Sequence, residues 1–527
     1  MTQAQAWLRD GKILAIKRSS GFHLACDARN DEAIMELRCR KRRPAKPLAV
    51  MARDLEVANE ICRVTAAEAR LLLSPEAPIV LLRMRTGAGL SPALAPGLNT
   101  VGVMLPYTKL QRQLLASGVD VMGCTSGNRS GLPAVNSDRQ ALMELGQIAD
   151  YFLLYDGSIE QLCDDSVTFV AAGQSQVIRR SRGYYTAAIT IPVRADKPTL
   201  AVGGDLKNAF CLVLNNQAYL SRHMGDVVTV ESKRNLIENI VTFCRELGVT
   251  PALVTADLHP GYYSGRIASQ LAERFGAVRH PGVQHHHAHL AACLGENGLV
   301  EGAIGILLDG TGYGTDGQLW GFEVVVGNYA NYRRHYQLAA VPLPGGEYAI
   351  RNPFVTAVAY LSFFLGRRGE QLALELFPQY PSEVALTKQL MAAGVNCPLS
   401  SSCGRLFDAV AAILGVCHHN TYEGQAPSEL SSLVPWVQSF DSFIPMENVT
   451  SYPYIIDGAE INPAPLLEAI IADLLAGTEI ANIAWRFHET IVSMVREAAA
   501  LVRAATGLNC VVLSGGSWQK VQSYAPR

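Results

Sequence analysis

Residues 304–325 read IGILLDGTGYGTDGQLWGFEVV, and the rest of the second half of the chain can be placed around this segment. Its two apolar runs, Ile304–Leu308 and Leu319–Val325, predict a pair of strands. Asp309–Gly317 joins them with four glycines, although a plain connector needs only one or two. We therefore predict a tight turn whose backbone amides face a phosphate, with Asp309 positioned to hold a cation or its water.

The segments on either side of this turn predict further alternating strands and helices. Upstream, Thr199–Val202 and Ala209–Leu214 form a second strand, turn and strand unit. Downstream, a buried strand at Cys510–Leu513 runs into Ser514, Gly515 and Gly516. Between them, helical periodicity covers residues 355–365, 405–414, 465–475 and 483–505.

A domain boundary is predicted near residue 195, because residues 189–198 carry Pro192 and Pro198 among charged residues. Before it, short apolar runs alternate with helical windows such as Asn30–Arg40, where Asn30 can cap the helix. This pattern predicts a mixed α/β domain of about 190 residues. Its predicted strands are residues 13–16, 48–51, 79–82, 101–105 and 119–122.

The composition excludes several classes of protein. The 527 residues are 49% hydrophobic and carry 45 basic against 47 acidic side chains, so a generally basic nucleic-acid coat is excluded. No apolar run approaches the length of a membrane span, and the N-terminus does not resemble a signal peptide. We therefore expect a cytoplasmic protein with neither a membrane nor a nucleic acid as its partner. The twelve cysteines form no C-x-x-C pair, which argues against a thiolate zinc ribbon.

Two segments of the first half are candidates for binding phosphate. Cations cluster at one predicted helix end, and they can either neutralise a triphosphate or form a solvated face or weak RNA patch. The loop Cys124–Gly131 offers small residues, hydroxyls and an amide to phosphate or acyl oxygens, or it is a plain surface turn. The clustered cations are Arg38, Arg40, Lys41, Arg42, Arg43 and Lys46.

The sequence Gln284-His285-His286-His287-Ala288-His289 predicts a metal site. If a helix begins here, His285 and His289 project from one face at i and i+4, the spacing that lets two imidazoles share a metal ion. Four histidines in five residues are hard to assign to packing. Two ligands do not complete a site, so a carboxylate is expected from elsewhere in the fold.

Taken together, these motifs resemble the hydrogenase-maturation carbamoyltransferases of the HypF type. The first half is similar to the family's YrdC-like module, and the second half resembles its Kae1-like module, an actin-like ATPase (ASKHA) fold with two lobes. The likeness covers nearly the whole chain. In the first half it rests on residues 21–28, 40–51, 101–106, 125–128, 164–167 and 179–184, and in the second on residues 205–208, 223–226, 257–260, 284–289, 309–317, 320–321, 344–346, 401–409 and 422–424.

The resemblance implies an α/β protein with a YrdC-like domain at 1–190, which forms carbamoyl adenylate from carbamate and ATP. It also implies a Kae1-like domain at 198–527, which transfers the carbamoyl group to the C-terminal cysteine of the partner HypE. The carbamate itself would derive from carbamoyl phosphate. The implied cofactors are ATP, with magnesium, and a divalent metal ion held by His285 and His289.

The resemblance also implies roles for individual residues. Lys41, Arg43 and Asp309 are the expected catalytic residues. The expected nucleotide-binding residues are Lys17, Lys41, Arg43, Ser126, Asn128, Ser166, Arg182, Lys207, Gly310, Gly312, Gly404, Asp408, Gly515 and Gly516.

The sequence also departs from the family pattern. The family's acylphosphatase and zinc-finger modules are not expected before Met1, and the pattern breaks at Trp518, so the Kae1-like domain is expected to be incomplete at its C-terminus. The family's terminal metal-binding aspartate is then absent. Arg18-Ser19-Ser20 replaces glycine-rich residues, and residues 155–158 replace a His/Arg-containing motif.

Two alternatives to hydrogenase maturation stay open at this point. The same modules could serve a threonylcarbamoyl transferase acting on tRNA or an O-carbamoyltransferase acting on small molecules. The chain could also be an inactive fragment that still binds a nucleotide or a partner. The histidine run and residues 401–409 favour the hydrogenase-maturation enzyme.

Overall fold

The structure is a computed structural model that describes residues 1–117, 119–129, 134–159, 162–185, 187–434 and 450–521. It contains two compact units. Unit 1 comprises Met1–Ile189, Arg194–Ala256 and Pro260–Pro281, and unit 2 comprises the described part of Thr190–Val193, Asp257–His259 and Gly282–Arg527. The domain bounds 1–190 and 198–527 stay a prediction. Of the predicted loop Cys124–Gly131, residues 130 and 131 lie outside the described residues.

The first part of unit 1 is a ten-stranded mixed sheet with the order β10-β9-β5-β6-β3-β7-β2-β1-β8, in which β4 pairs with β5. Its strands are β1 (Leu14–Arg18), β2 (Gly21–Asp27), β3 (Ala49–Ala52), β4 (Cys62–Arg63), β5 (Ile79–Met84), β6 (Thr100–Met104), β7 (Val121–Ser126), β8 (Tyr151–Leu153), β9 (Val167–Ala171) and β10 (Gln174–Arg179). Its helices are α1 (Thr2–Arg9), α2 (Asp31–Lys41), α3 (Leu55–Ile61), α4 (Ala66–Leu72), α5 (Lys109–Leu115) and α6 (Asp138–Leu145).

Both faces of this sheet are buried, as expected for near-continuous apolar strands. One face packs Phe22, Leu24 and Val50 against α2, and the opposite face packs Ile16 and Met51. All five strands predicted in this half are confirmed, with bounds that differ by a few residues. The predicted helix cap is confirmed too, because the Asn30 side chain accepts a hydrogen bond from the backbone of Ala33.

A second sheet in unit 1 has the order β12-β11-β13-β14. Leu200, Val202 and Leu236 belong to its buried core. The element bounds are β11 (Ile189–Ala201), β12 (Cys211–Leu220), α7 (Val230–Glu246), β13 (Leu253–Thr255), α8 (Tyr263–Phe275) and β14 (Val278–Arg279).

Unit 2 is an eight-stranded sheet combined with long helices. The sheet path is β18-β19-β16-β17-β21-β20, and β15 lies between β16 and β22. The strands are β15 (Ala303–Tyr313), β16 (Leu319–Gly327), β17 (Tyr332–Leu338), β18 (Val341–Pro342), β19 (Leu399–Ser400), β20 (Ile455–Asp457), β21 (Glu460–Asn462) and β22 (Val511–Ser514). The helices are α9 (His285–Glu296), α10 (Glu347–Arg351), α11 (Pro353–Leu376), α12 (Pro381–Ala393), α13 (Cys403–Ile413), α14 (Gln425–Ser432), α15 (Ala464–Leu475), α16 (Ile480–Thr506) and α17 (Trp518–Val521).

The predicted hairpin around the glycine-rich turn is confirmed. β15 and β16 pair antiparallel, with Ile304 opposite Val326 and Leu308 opposite Phe322. The four predicted helices correspond to α11, α13, α15 and α16, and the predicted last strand is β22, which runs parallel to β15. Within the described residues, none of the helices combines the length and the apolar character that crossing a lipid bilayer requires.

Candidate functional site

In unit 1, three predicted nucleotide-binding residues meet at one place. Helix α2 ends at Lys41, whose side chain is only 3% exposed. Its Nζ donates hydrogen bonds to the backbone oxygen of Ser126 and, over 3.1 Å, to Oδ1 of Asn128. The Ser126 hydroxyl donates to the same Asn128 oxygen over 2.7 Å. Burial, together with the nearby charge of Arg43, holds the pKa of Lys41 well below its usual range.

The predicted cation cluster divides into residues with different tasks. The Arg38 guanidinium donates to backbone oxygens of its own loop, at 2.8 Å from Arg43, and to that of Leu94 at 3.0 Å. Arg40 pairs with Asp150 at 2.8 Å. These contacts tie the end of α2 to its surroundings, so Arg38 and Arg40 have structural partners.

Arg43 follows the helix end and also bonds to its own loop. Its Nε donates to the backbone oxygen of Lys46 over 3.1 Å, and its Nη2 donates to that of Pro47 over 2.6 Å. Burial, with the charges of Arg38 and Arg179, lowers the pKa of Arg43 to about 10. An anion arriving here would meet a cation that is poorly solvated, which strengthens their attraction.

Two further predicted residues, Ser166 and Arg182, lie together. The Ser166 hydroxyl donates to the Arg182 backbone oxygen over 2.9 Å and accepts from the Ser181 amide over 2.8 Å. The Arg182 guanidinium pairs with Asp165 at 3.0 Å and lies 3.9 Å from the ring centre of Tyr107. The hydroxyl of Ser166 thus holds the turn after β10 that contains Arg182.

Arg18 completes this group, and the sequence analysis did not name it as a site residue. Its Nη1 donates to the Tyr107 hydroxyl over 2.8 Å and to both Asp165 oxygens over 3.1 Å. Burial would raise the pKa of Asp165, but Arg18 and Arg182 outweigh it and lower this pKa to about 2. The sequence signal that could have pointed to the Arg18–Asp165 ion pair was the replacement of the family's glycine-rich residues by Arg18-Ser19-Ser20.

The remaining predicted residues of unit 1 occupy separate positions. Lys17 is buried, and its Nζ lies 2.8 Å from a carboxylate oxygen of Asp138 and donates to the backbone oxygen of Tyr155 over 3.2 Å. Lys207 lies between β11 and β12 in a left-handed conformation with φ of 47°. Its amide donates to Asp226 over 2.9 Å. Nucleotide binding by these two lysines stays a prediction.

Asp165→Asn is expected to destabilise unit 1 by about 3–5 kcal/mol at pH 7, because it leaves Arg18 and Arg182 without their buried counter-charge. The lowered pKa of Asp165 also fixes the pH dependence. An aspartate with a folded pKa of about 2 stabilises the fold above pH ~4, and this contribution is lost as the pH falls through 2.

Hydrogen exchange in the strands of unit 1, measured from pH 7 towards pH 2, tests this expectation. Asp165→Asn should lower protection at pH 7 and flatten its fall in acid. The exposed Asp156→Asn is the matched control and should leave both unchanged. Equal protection in the two variants would contradict the proposed importance of the ion pair.

In unit 2, the predicted metal ligands converge with Asp309. Helix α9 begins at His285, and the Gln284 side chain caps it by accepting from the backbone of His287. One ring nitrogen of His285, one of His289 and one Asp309 oxygen all lie within 4.8 Å of one another. Asp309, which the sequence analysis placed beside a cation and among the catalytic residues, thus supplies a carboxylate next to the two histidines.

The far nitrogen of each histidine is occupied by a second partner. Nδ1 of His285 lies 2.7 Å from Oδ2 of Asp257, and Nδ1 of His289 lies 2.9 Å from the Ser514 hydroxyl. The two Nε2 atoms, 3.2 Å apart, consequently face each other. Such outer partners fix the orientation of imidazole ligands. Two nitrogens and one carboxylate oxygen within 4.8 Å of one another fit a divalent metal ion.

The charges in this cluster are mutually compensating. Burial would lower the pKa of His285, but Asp257 and Asp309 outweigh it and raise this pKa to about 10. Burial would raise the pKa of Asp309, but the two histidines outweigh this effect. The pKa of Asp309 therefore lies well below its usual range. A metal ion bound here would displace a proton from His285, because only the neutral ring is a ligand.

Glycines from three segments surround Asp309. Its Oδ1 accepts from the amides of Gly310 at 2.7 Å and Gly516 at 3.4 Å. A side chain at Gly404 would place its Cβ 2.9 Å from Cα of Gly310, so the N-terminus of α13 packs directly on the turn. The Ser402 hydroxyl fastens this contact by donating to the Gly310 oxygen over 2.6 Å.

Two more predicted glycines are required for close packing. A Cβ at Gly312 would lie 2.4 Å from Cε1 of His286, and one at Gly515 would lie 2.1 Å from the backbone oxygen of Leu308. Gly515 also has φ of 110°, a conformation that side chains disfavour. These glycines let their backbone segments pack closely beside the cluster of His285, His289 and Asp309.

Asp408 faces a different neighbour. It lies one turn along α13 from Gly404 and is 2.7 Å from Arg405 Nη1. Asn420 donates to it over 3.4 Å. Burial raises the pKa of Asp408 to about 6 despite Arg405. Contact between Asp408 and a nucleotide stays a prediction.

The far end of the glycine-rich turn is fixed by a buried acid. Glu323 is fully buried and accepts from the Gly321 amide over 3.0 Å, from the Ser401 hydroxyl over 2.7 Å, and from Arg334. Arg334 in turn stacks 4.0 Å from the Trp320 ring centre. The sequence analysis missed this network, whose only sequence signal was a glutamate within an apolar strand.

Three family profiles match the chain. Residues 305–521 match "Carbamoyltransferase, Kae1-like Domain, second subdomain", and residues 194–296 match "HypF Kae1-like domain". Residues 6–181 match the Sua5, YciO and YrdC family, described as "Telomere recombination". The matches together cover nearly all of the chain.

Two named relatives are similar to nearly the whole of this chain. Carbamoyltransferase HypF2 of Cupriavidus necator and carbamoyltransferase HypF of Rhodobacter capsulatus are each 39% identical, over 98% of this chain and 67% of theirs. The chain therefore spans about two thirds of their length. A crystal structure of full-length HypF in the phosphate- and nucleotide-bound form superposes with a TM-score of 0.90 at 38% identity, covering 99% of this chain and 80% of that one.

Proposed function

Because this chain belongs to the HypF carbamoyltransferase family, we propose that it forms carbamoyl adenylate in unit 1 and uses it to carbamoylate the C-terminal cysteine of HypE. The family membership makes it a carbamoyltransferase of hydrogenase maturation. The predicted fold class is confirmed, with a YrdC-like α/β domain followed by Kae1-like domains.

In the first step, an oxygen of carbamate attacks the α-phosphorus of ATP. A carbamate oxygen–phosphorus bond forms, the bond between the α-phosphorus and the bridging oxygen breaks, and pyrophosphate leaves with the electron pair. Lys41 and Arg43 would neutralise the phosphates, since cations in a poorly solvated site stabilise charge strongly. Ser126, Asn128, Ser166 and Arg182 would line the nucleotide site, and Lys17 would stand beside it.

In the second step, the cysteine sulfur of HypE attacks the carbamoyl carbon. A sulfur–carbon bond forms, the carbon–oxygen bond to AMP breaks, and the thiol proton passes to the AMP phosphate or to solvent. His285, His289 and Asp309 would hold a divalent metal, which when bound supplies a positive charge for the developing oxyanion. Gly312, Gly404 and Gly515 let backbone segments pack closely around Asp309, whose carboxylate accepts from the amides of Gly310 and Gly516. The phosphate of the nucleotide would lie against these glycine-containing segments. ATP with magnesium is the proposed cofactor of the first step.

The convergence of His285, His289 and Asp309 next to these glycines carries the proposal. It gives the histidine run a chemical task, which an inactive fragment would not need. The phosphate and nucleotide bound in the related HypF structure support the use of ATP. Carbamoyl phosphate is the proposed origin of the carbamate.

The proposal is tested by incubating the chain with ATP, magnesium, ammonium bicarbonate as a source of carbamate, and HypE. We expect a carbamoyl mass increment on the terminal cysteine, and none on HypE whose terminal cysteine is replaced by serine. ATP cleavage to AMP without an increment on HypE would contradict the acceptor. In that case, the increment should be sought on tRNA and on small hydroxylated acceptors, the two alternative substrates.

A further inference from the structure

His23 is a buried imidazole for which the proposed mechanism has no task so far. It lies in β2 and is 4% exposed. Among the described residues, neither Nδ1 nor Nε2 of His23 has a hydrogen-bond partner. A neutral imidazole carries one donor and one acceptor, and leaving both unmade inside a protein is unfavourable. Such a group calls for a ligand that completes it.

The strand register places His23 at the nucleotide site. His23 is opposite Ser126 of β7 on one side and Ile16 of β1 on the other. Side chains opposite each other in a sheet share a face and stand about 5 Å apart. His23 is therefore next to Ser126, whose backbone oxygen accepts from Lys41 and whose hydroxyl donates to Asn128.

Arg18 shares this face, because it is two residues from Ile16 in β1. Diagonal neighbours in a sheet are within reach of long side chains. Tyr107 and Asp165 hold the Nη1 end of Arg18. Its Nε is buried and has no hydrogen-bond partner among the described residues. Within the described residues, one N–H donor of Arg18 and both ring nitrogens of His23 thus lack hydrogen-bond partners on the same face of the sheet.

The charge state of His23 defines what it can bind. Burial and the positive charge of Arg18 lower the pKa of His23 to about 3. The ring is therefore neutral at neutral pH, and one of its nitrogens is a hydrogen-bond acceptor. Arg18 remains charged, since burial is outweighed by Asp165 and its pKa is raised. The pair offers a cationic N–H donor and a neutral acceptor.

We propose that His23 and Arg18 bind the small planar acid that is activated in unit 1. The Nε–H of Arg18 donates a hydrogen bond to a carboxylate oxygen of the acid. The unprotonated nitrogen of His23 accepts a hydrogen bond from the amino or hydroxyl group on the same carbon. Carbamate, with its amino group, fits this arrangement, and bicarbonate, with its hydroxyl, shares the chemistry. The assignment rests on the proposed adenylate-forming reaction and adds substrate recognition to it.

The test measures pyrophosphate exchange into ATP by the full chain at increasing concentrations of ammonium bicarbonate. A second series uses sodium bicarbonate in its place. His23→Leu is expected to raise the KM for carbamate roughly 10- to 100-fold, as for the loss of a hydrogen bond to substrate. The Kd of a non-hydrolysable ATP analogue should change less than about twofold. His23→Gln, which keeps a donor and an acceptor, should restore part of the affinity.

Two further variants separate recognition from folding. Arg18→Lys keeps the charge facing Asp165 but removes Nε–H, and it should also raise the KM. His280→Gln alters an exposed histidine of unit 1 and is expected to leave both constants unchanged. Dependence on sodium bicarbonate equal to that on ammonium bicarbonate would assign the site to bicarbonate and overturn carbamate as the ligand.

An unchanged KM in a folded, active His23→Leu enzyme overturns the proposal. Absence of exchange in the unaltered chain would instead count against the adenylate-forming reaction. Binding is then decided by NMR of the histidine ring nitrogens, with the His23 signals assigned from His23→Gln. A shift of these signals on adding ammonium bicarbonate with the ATP analogue supports the site, and no shift overturns it.

Discussion

Asp309→Asn is expected to lower carbamoyl transfer to HypE by about 10²- to 10³-fold, the size of effect seen when one charge-stabilising group is removed from an active site. The Asp309 Oδ2 lies 3.2 Å from Nε2 of His285 and 3.6 Å from Nε2 of His289. Asparagine keeps the shape and an oxygen for the Gly310 amide, but it removes the negative charge. Two histidines alone do not make a complete metal site.

Three measurements test this expectation. Transfer to HypE should fall, divalent metal bound per chain should fall, and pyrophosphate exchange in unit 1 should be retained. The exposed Asp457→Asn in β20 is the matched control for charge in unit 2 and should behave like the unaltered chain. Full transfer activity in Asp309→Asn would show that the cluster has no part in the reaction.

Asp257→Asn should give a smaller loss than Asp309→Asn. Asp257 contacts the outer nitrogen of His285 at 2.7 Å, and its other carboxylate oxygen accepts from the His259 amide. Loss of an outer partner typically weakens metal affinity by about 10- to 100-fold. Raising the metal concentration should then restore transfer in Asp257→Asn, whereas it should not restore Asp309→Asn. Equal losses in both variants at saturating metal would contradict this order.

Lys41→Met is expected to reduce carbamate-dependent pyrophosphate exchange by about 10²- to 10³-fold. Its ammonium group is buried between Ser126 and Asn128, and burial lowers its pKa, so it has a strong electrostatic reason to accept an anion. Methionine has a similar length and is apolar, which suits a buried position. The loss should therefore lie in catalysis and nucleotide affinity and not in folding.

Lys46→Met provides the matched control, since Lys46 belongs to the same cation cluster but is exposed. We expect near-normal exchange in this variant. If the whole cluster acted as a diffuse phosphate-binding patch, both variants would lose similar activity. Raising the ionic strength would then weaken ATP binding equally in the two variants. A loss of exchange in Lys41→Met without a loss in Lys46→Met would assign the binding of phosphate to Lys41.

Much of the candidate site was accessible from the sequence, because it depends on spacing along the chain. The four-residue separation of His285 and His289 predicts one helical face, and α9 begins at His285. The grouping of Lys41 with Ser126 and Asn128 followed only from the family resemblance. The six-cation cluster shows the limit of spacing, since it does not reveal that Arg38 bonds backbone oxygens and Arg40 an aspartate.

The sequence alone determined five strands of the first half, four long helices of the second half, the Asn30 cap and the glycine-rich hairpin. These features arise from apolar periodicity and from hydrogen bonds between residues a few positions apart. Only the tertiary structure brought Asp309 to His285 and His289, Asp257 to His285, and Arg18 to Asp165. Those contacts join residues far apart in the chain, and their formation depends on how the sheets order their strands and not on any local pattern.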